Sequence, residues 1–342
     1  MEKAMIAMSG GVDSSVAAHL MLRAGYDCCG MTLKLWDSTV GDPSADARAV
    51  ADRLQIPFHV LDHTQAFLQN VVEPFIGAYE NGLTPNPCIR CNQYIKFGAL
   101  LEEALKMGCD YIVTGHYARI RQENGRYLLY KAADPTKDQT YFLAGLTQHQ
   151  LSHTKLPLGE MTKEQVREIA LEQGFLNARK KDSQDICFIP DGDFAAFIRN
   201  YTGKTYPSGD YLDLNGKVVG KHNGAFAYTL GQRKGLGIAL GEPAYVCAKD
   251  MAKNTVTVGP NEALFHKTLV ATDWNWLPFP ALTEPMRVTA KARYRHIEQP
   301  ATVYPDGRVE FDEPQRAMTP GQAVVVYLDD MVVGSGTITE VI

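Results

Sequence analysis

Over the first 115 positions, solid apolar runs alternate with stripes at helical spacing. Residues 4–8, AMIAM, form an unbroken apolar run ending in Ser-Gly-Gly, which predicts a strand buried on both faces. Val16, Ala17, Leu20, Met21 and Ala24 then recur at helical intervals, and Gly25 supplies the stop. The same reading predicts strands over 29–35, 58–61 and 111–114. It predicts helices over 45–54 and over 64–79, the latter kinked by Pro74, and a further helical stripe on Phe97, Leu100, Leu101, Ala104 and Leu105. Strand–helix alternation implies an α/β, doubly wound parallel sheet with ligands at the carboxyl ends of its strands.

Beyond about residue 200 the helical period fades and hairpin signals replace it: DLNGK at 213–217, PDGR at 305–308 and LDDM at 328–331. One or two small β domains are expected there, the last a β-barrel. The expected division is 1–202 for the nucleotide-binding and catalytic part, 203–265 for a central β domain and 266–342 for the barrel. Within the first part, 130–202 reads as a mixed segment with helices at 163–173 and 194–201.

Composition narrows the class. The chain has 342 residues, enough for two or three domains, and its 45% hydrophobic content supports proper cores. No apolar run approaches the roughly 18 residues of a membrane span. The N-terminus meets its glycine-rich turn too early for a signal peptide, and seven scattered cysteines do not form a secreted disulfide framework, so a cytoplasmic protein is expected. A net charge of −5 advertises no nucleic-acid partner, but basic clusters at 178–182, 231–235 and 291–296 leave room for a local basic face.

Two motifs carry chemistry. The first, MSGGVDSS at 8–15, sits between the first strand and the first helix. Backbone N–H groups of Ser9, Gly10, Gly11 and Val12 can converge on an anion at the positive end of the helix dipole, with hydroxyls of Ser9, Ser14 and Ser15 as further donors. It lacks the lysine of a Walker A loop and the spacing of a dinucleotide fingerprint. The second, TPNPCIRCNQYIKFG at 84–98, places Cys88 and Cys91 in a C-x-x-C spacing. Read alone, that pair fits half a zinc site, a redox dithiol, part of an iron–sulfur site, or a nucleophile with an incidental neighbour. Cys28, Cys29, Cys109 and Cys247 stand outside any motif and are expected to be buried structural thiols. Trp274 and Trp276 alternate along a predicted strand and are expected in a core.

S-G-G-V-D-S after a first strand resembles the PP-loop of the ATP pyrophosphatase superfamily, which cleaves ATP between the α- and β-phosphates. TGHYAR at 114–119, KDQTYFL at 137–143, KKDSQDICFI at 180–189, YTLGQRKGLGI at 228–238, KARYRH at 291–296 and TPGQAVV at 319–325 follow the cysteine motif in order. Together they resemble the tRNA-specific 2-thiouridylase family (MnmA type) from end to end. That resemblance implies adenylation of the uracil 2-oxygen of a wobble uridine by ATP with Mg²⁺, then sulfur transfer. Cys187 is implied as the persulfide carrier and Cys91 as nucleophile or resolving thiol, the two closing a disulfide. The implied ATP site comprises Ala7, Met8, Ser9, Gly10, Gly11, Val12, Asp13, Ser14, Leu33 and Gly115, with Asp13 near the Mg²⁺–pyrophosphate. The implied tRNA contacts are Asn86, Pro87 and Cys88 at the target base, with Lys137, Asp138, Gln139, Arg293, Tyr294, His116 and Gln322 elsewhere. A cysteine desulfurase or sulfur-relay protein is the implied sulfur donor.

The chain departs from some family members at Cys88, where they carry an aspartate. The third cysteine leaves an alternative open: Cys88, Cys91 and Cys187 as ligands of a 4Fe–4S cluster that delivers sulfide. Two other functions compete. Another PP-loop synthetase would adenylate a different acceptor without needing paired cysteines, and a non-catalytic RNA binder would not need an intact phosphate loop.

Overall fold

The computed structural model describes residues 1–36, 44–180, 186–239 and 241–342. Residues 181–185 of the KKDSQDICFI motif and of the basic cluster beside it lie outside the described residues. The first unit is built on parallel strands β1 (Lys3–Ala7), β2 (Asp27–Lys34), β3 (Phe58–Asp62) and β4 (Tyr111–Val113), in the order β3-β2-β1-β4, with Thr154–Lys155 added parallel beyond β4. Alternate residues of β1 feed opposite cores. Ala4 and Ile6 pack with Val16, Ala17, Val50 and Val166, while Met5 packs with Leu100, Leu101 and Ile112 across the sheet. Both faces are therefore helix-covered, and the loops after β1, β2 and β4 gather at one edge, as the α/β reading expects.

The predicted kink at Pro74 takes a specific form. The helix spanning 64–80 does not break; it passes through a π-helical stretch, Leu68–Val72, immediately before the proline. Pro74 has no N–H to offer the carbonyl of Asn70 four residues back. That carbonyl instead accepts from Arg90 Nε at 2.8 Å. Arg90 lies between Cys88 and Cys91, so the kink is also an anchor for the cysteine helix.

The hairpins forecast at 213–217, 305–308 and 328–331 are all present. The first belongs to a four-stranded sheet of Gly209–Leu212, Val218–His222, Tyr245–Asp250 and Thr255–Gly259. The other two belong to six strands between Phe265 and Val341 that close into a barrel through pairing of Phe265–Trp276 with Met331–Val341. Trp274 and Trp276 stack with rings 4.5 Å apart against the barrel core, as expected. An unforeseen hairpin, Arg119–Glu123 with Arg126–Tyr130, leaves the first unit and pairs through Tyr130 with Met331, extending the barrel sheet. Its turn, Asn124-Gly125, has positive φ at both residues, which Asn-Gly tolerates.

Polar side chains complete the junction. Asn275 Nδ2 donates to the carbonyls of Ala144 at 2.8 Å and Leu146 at 3.0 Å, and Arg126 Nε donates to Leu277 O at 2.6 Å. Asn275→Ala strands both carbonyls, and a buried unpaired acceptor costs about 1–3 kcal/mol. Its urea-unfolding midpoint is expected to fall measurably, whereas Asn215→Ala, in an exposed turn, should leave it in place; equal midpoints for the two variants would refute the role given to Asn275.

Candidate active site

The loop after β1 has the geometry of an anion cradle. Gly10 adopts φ 71°, a conformation natural to glycine, and Gly11 caps helix α1 (Val12–Arg23) in an extended conformation. The first-turn amides of α1 have no acceptors within the helix and lie at the positive end of its dipole. The serine hydroxyls shape the turn from inside: those of Ser14 and Ser15 donate to Gly11 O at 3.0 Å each, and Ser14 Oγ accepts from Ser9 N at 3.3 Å. Asn177 Nδ2 donates to Gly10 O at 3.1 Å and to Ser15 Oγ at 2.9 Å, so the far side of the loop is also fixed.

Asp13 projects from the first turn of α1 into an ion pair. Lys163 Nζ lies 2.7 and 2.8 Å from its two carboxylate oxygens, and Tyr117 OH donates to Oδ1 at 2.8 Å. Gly115 packs directly beneath, and a Cβ there would fall 2.6 Å from the Asp13 carbonyl carbon. Sequence reasoning placed Asp13 and Gly115 together and missed Lys163 and Tyr117. The capping box at Thr162–Gln165 marks the helix that Lys163 begins, but nothing local says where its side chain goes. Ala7 ends β1, Met8 is buried, and Leu33 is half-buried on β2 beside the cores of both neighbouring helices.

The cysteine helix, spanning 87–106, starts at Asn86, whose Oδ1 accepts from the N–H groups of Cys88 at 3.1 Å and Ile89 at 3.4 Å. Cys88 and Cys91 thus sit in the first turns, where the dipole favours a thiolate. From Cys91 to Ala99 the helix is π-wound. At about 4.4 residues per turn, positions i and i+5 share a face, so Cys91 and Lys96 point the same way; an α-helix would separate them. Cys187 reaches this place because Phe188 and Ile189 are buried in the same apolar cluster as Cys91 and Ile95. Phe188 meets Phe67 and Phe75 edge-on, at 5.6 and 5.4 Å.

All seven cysteines are free thiols. Cys91 is buried, and burial pushes its thiol up to about 11, with smaller upward contributions from Cys187 and Cys88. Cys88 and Cys187 are open to solvent yet closely flanked by protein, and this desolvation raises both, Cys88 adding to the shift at Cys187. Lys96 opposes the shift at all three and, like Lys163 and Tyr117, is not marked by the sequence pattern. Burial, and then Lys96, hold His116 far below the usual imidazole range, so its ring is neutral, 2.8 Å from Thr114 Oγ1. The three thiols are not assembled into a metal-holding group, and no such group of His, Cys, Asp or Glu occurs among the described residues. This arrangement gives the cluster alternative no support. Of the other cysteines, Cys28 and Cys109 are buried as expected, whereas Cys29 and Cys247 are only half-buried.

Several expected RNA contacts also serve as struts. Gln322 Nε2 donates to Thr84 O at 2.8 Å, and Pro320 O accepts from Thr84 N at 2.9 Å, so the TPGQ loop of the barrel clamps the segment leading to Asn86. Arg293 Nη2 donates to Leu230 O at 3.0 Å and to Thr319 Oγ1 in the same clamp, while its buried Nε finds no partner among the described residues. Asp138 Oδ2 accepts from Thr140 Oγ1 at 2.6 Å, and Gln139 Oε1 accepts from Tyr117 N at 2.8 Å, next to half-exposed Lys137. Tyr294 is 38% exposed, its ring resting on Phe142 at 4.3 Å.

A phosphate cradle at the end of a parallel strand, with a carboxylate beside it and no Walker lysine in the loop, defines the class: a nucleotide-binding enzyme of the PP-loop kind rather than a Walker-type ATPase. Comparison with known proteins agrees. Residues 2–191 match the family model described as tRNA methyl transferase HUP domain, 195–260 its PRC-barrel domain, and 266–338 an aminomethyltransferase beta-barrel domain. The tRNA-specific 2-thiouridylase MnmA of Moorella thermoacetica is 50% identical over 354 residues, covering 98% of this chain and 99% of that one. The protein of the same description from Clostridium acetobutylicum is 48% identical over 352 residues, with 98% and 99% covered. The chain belongs to the tRNA-specific 2-thiouridylase MnmA family.

Lys96→Met removes the cation that offsets desolvation of the thiols. Alkylation of Cys88 and Cys187 by iodoacetamide, followed by mass spectrometry across a pH series, is expected to shift to higher pH in the variant. An unchanged profile would show that Lys96 does not act on the thiols.

Proposed function

We propose that this chain converts the 2-oxygen of a tRNA wobble uridine into sulfur, using ATP with Mg²⁺ and a protein-bound persulfide. The reading is carried by the amide cradle at Ser9–Val12 with Asp13 and by the thiols of Cys91 and Cys187 under the influence of Lys96, whose charge also reaches His116, next to the Gly115 that packs on Asp13. Family membership supports the same reading.

The residues divide the reaction as follows. The cradle amides and serine hydroxyls, with Ala7, Met8, Leu33 and Gly115 around them, hold ATP by its β- and γ-phosphates. Asp13 supplies a hard oxygen ligand for Mg²⁺. Lys163, now paired with Asp13, is then released toward the incoming phosphates, keeping the charge balanced. The uracil 2-oxygen attacks the α-phosphorus, pyrophosphate leaves, and the 2-position becomes an adenylate. The terminal sulfur of a Cys187 persulfide attacks C2 and expels AMP, leaving a Cys187–S–S–C2 link. The Cys91 thiolate then attacks Cys187 Sγ, forming the Cys91–Cys187 disulfide and releasing the thiocarbonyl. A dithiol reductant restores both thiols, and a cysteine desulfurase or sulfur-relay protein reloads Cys187. Asn86, Pro87 and Cys88 flank the target base; Lys137, Asp138, Gln139, His116, Arg293, Tyr294 and Gln322 face or brace the RNA.

No helix among the described residues is long and apolar enough to cross a membrane, and we place the enzyme with its tRNA in the cytoplasm. The residues divide naturally into the three units 1–202, 203–265 and 266–342.

Purified protein with tRNA, ATP and a desulfurase should form AMP and pyrophosphate only when tRNA is present, and thiouridine with them. Cys187→Ser is expected to abolish thiouridine while retaining AMP formation and tRNA binding. Thiouridine at the wild-type level in that variant would overturn the persulfide assignment, and absence of tRNA-dependent AMP in the wild type would overturn the function. Asp13→Ala should reduce ATP turnover by at least a hundredfold with tRNA affinity intact, measured by filter binding.

A further inference from the structure

Beside Cys187 lies a recess of about 350 Å³ that none of the steps above uses. Phe188 forms its inner wall and Trp36, just beyond the carboxyl end of β2, one side. The helix Phe194–Thr202 forms the other side, presenting Phe197, Asn200 and Tyr201, which stand three or four residues apart and so share a face. Pro190 and Asp191 close the rim.

The lining suits a flat conjugated ring. Trp36 lies 5.8 Å from Phe197 and 6.3 Å from Tyr201, the last pair inclined by only 32°. Phe197 and Tyr201 are nearly parallel at 25°. Tyr201 is 41% exposed, so π surface is presented to solvent. At the rim, the Asn200 amide is exposed and makes no hydrogen bond among the described residues, while one Asp191 oxygen accepts from Asp193 N at 3.1 Å. An amide and a carboxylate above stacked rings match the donor and acceptor edge of a nucleobase. They match the side chain of an apolar partner less well, because Asp191 and Asn200 would lose water without gaining partners. The inner wall, Phe188, is covalently next to Cys187, so a ring held here is within a nucleotide's reach of the sulfur. A wobble uridine lies in a single-stranded loop whose neighbours can leave the stack.

We propose that the Trp36–Phe197–Tyr201 recess receives an unstacked base of the RNA adjacent to the target uridine, read at its edge by Asn200, so that the uridine is held over Cys187 from one side. This rests on the thiouridylase reading and adds a base-binding site to it.

The test uses the full-length protein with an anticodon stem-loop carrying 2-aminopurine at each position flanking the target uridine in turn. At one position, fluorescence should be quenched by the wild type and not by Trp36→Leu or Tyr201→Leu. Kd for the unlabelled RNA is expected to rise about tenfold in the leucine variants, the typical scale of one lost base stack. It should rise severalfold in Asn200→Ala, whose exposed position keeps folding out of question, and stay near wild type in Tyr201→Phe. KM for ATP and desulfurase-dependent loading of Cys187 should not change. A raised KM for ATP with unchanged RNA affinity would mean that the adenine occupies the recess. Impaired loading alone would mean that the sulfur donor docks there. Either result, or unchanged quenching at both positions, overturns the proposal. Wild-type tRNA-dependent AMP formation, measured alongside, separates its failure from failure of the function itself.

Discussion

The ion pair of Asp13 with Lys163 is the constraint around which the catalytic edge is arranged. An acid in the first turn of α1 is favoured by the helix dipole, but Lys163 opens its own helix, Lys163–Glu172, where the dipole opposes a cation. The position is tolerable because carboxylates surround it: Asp13 takes the ammonium, and Asp134 Oδ2 accepts the Lys163 N–H at 3.1 Å. Removing one partner of a largely buried pair leaves an uncompensated charge, so each residue holds the other in place. The pair also fixes three separate segments against one another. Tyr117 reaches the same carboxylate, and the Tyr117 backbone is bound in turn by Gln139. Gly115 lets the backbone after β4 approach that of Asp13. A phosphate cradle that had only its glycines would be shaped; this one is also braced.

A second system of struts sets the thiols, and it runs through the barrel. Pro320 and Gln322 grip Thr84 and the residue after it, Asn86 caps the helix, and Arg90 ties that helix to the carbonyl freed by Pro74. The barrel is thereby part of the active site's foundation although it supplies no thiol and no phosphate donor. Arg293 illustrates the same economy. Its guanidinium joins the Leu230 loop to the Thr319 clamp, so a residue expected to meet RNA also couples the β units to the cysteine segment.

How much of this was legible in the sequence depends on range. Strand runs and helical stripes are local, and the parallel sheet, the glycine loop and the three hairpins follow from them. Pro74 is a local signal too, but its consequence is not, because the carbonyl it frees is satisfied by Arg90, 20 residues on. The hairpin at Arg119–Tyr130 carries a turn signal in Asn124-Gly125, but its second strand, RYLLY, lacks the apolar–polar alternation that marks a half-buried strand. Lys163, Tyr117 and Lys96 were missed for different reasons. The first two act through side chains meeting over distances that no period encodes. Lys96 depends on a π-wound helix, and a sequence read at 3.6 residues per turn puts it on the wrong face from Cys91.

That winding has a chemical consequence. Desolvation raises all three site thiols, so in the resting chain they are predominantly protonated near neutral pH and poor nucleophiles. Burial is the largest influence at each and Lys96 an opposing one, which makes the balance sensitive to what covers the site. A substrate that excludes water strengthens the lysine's field at the thiols, since the same charge acts through a lower dielectric. It also deepens desolvation, which favours the neutral form. The π-helix puts Cys91 on the face of Lys96, so both influences act on that thiol. Cys88 lies one turn nearer the amino end, capped by Asn86 and open to solvent. A thiol there adds no fixed negative charge, whereas a carboxylate would compete for Lys96. The cysteine therefore leaves the lysine's field free to act on Cys91 and Cys187, the two thiols proposed for sulfur transfer.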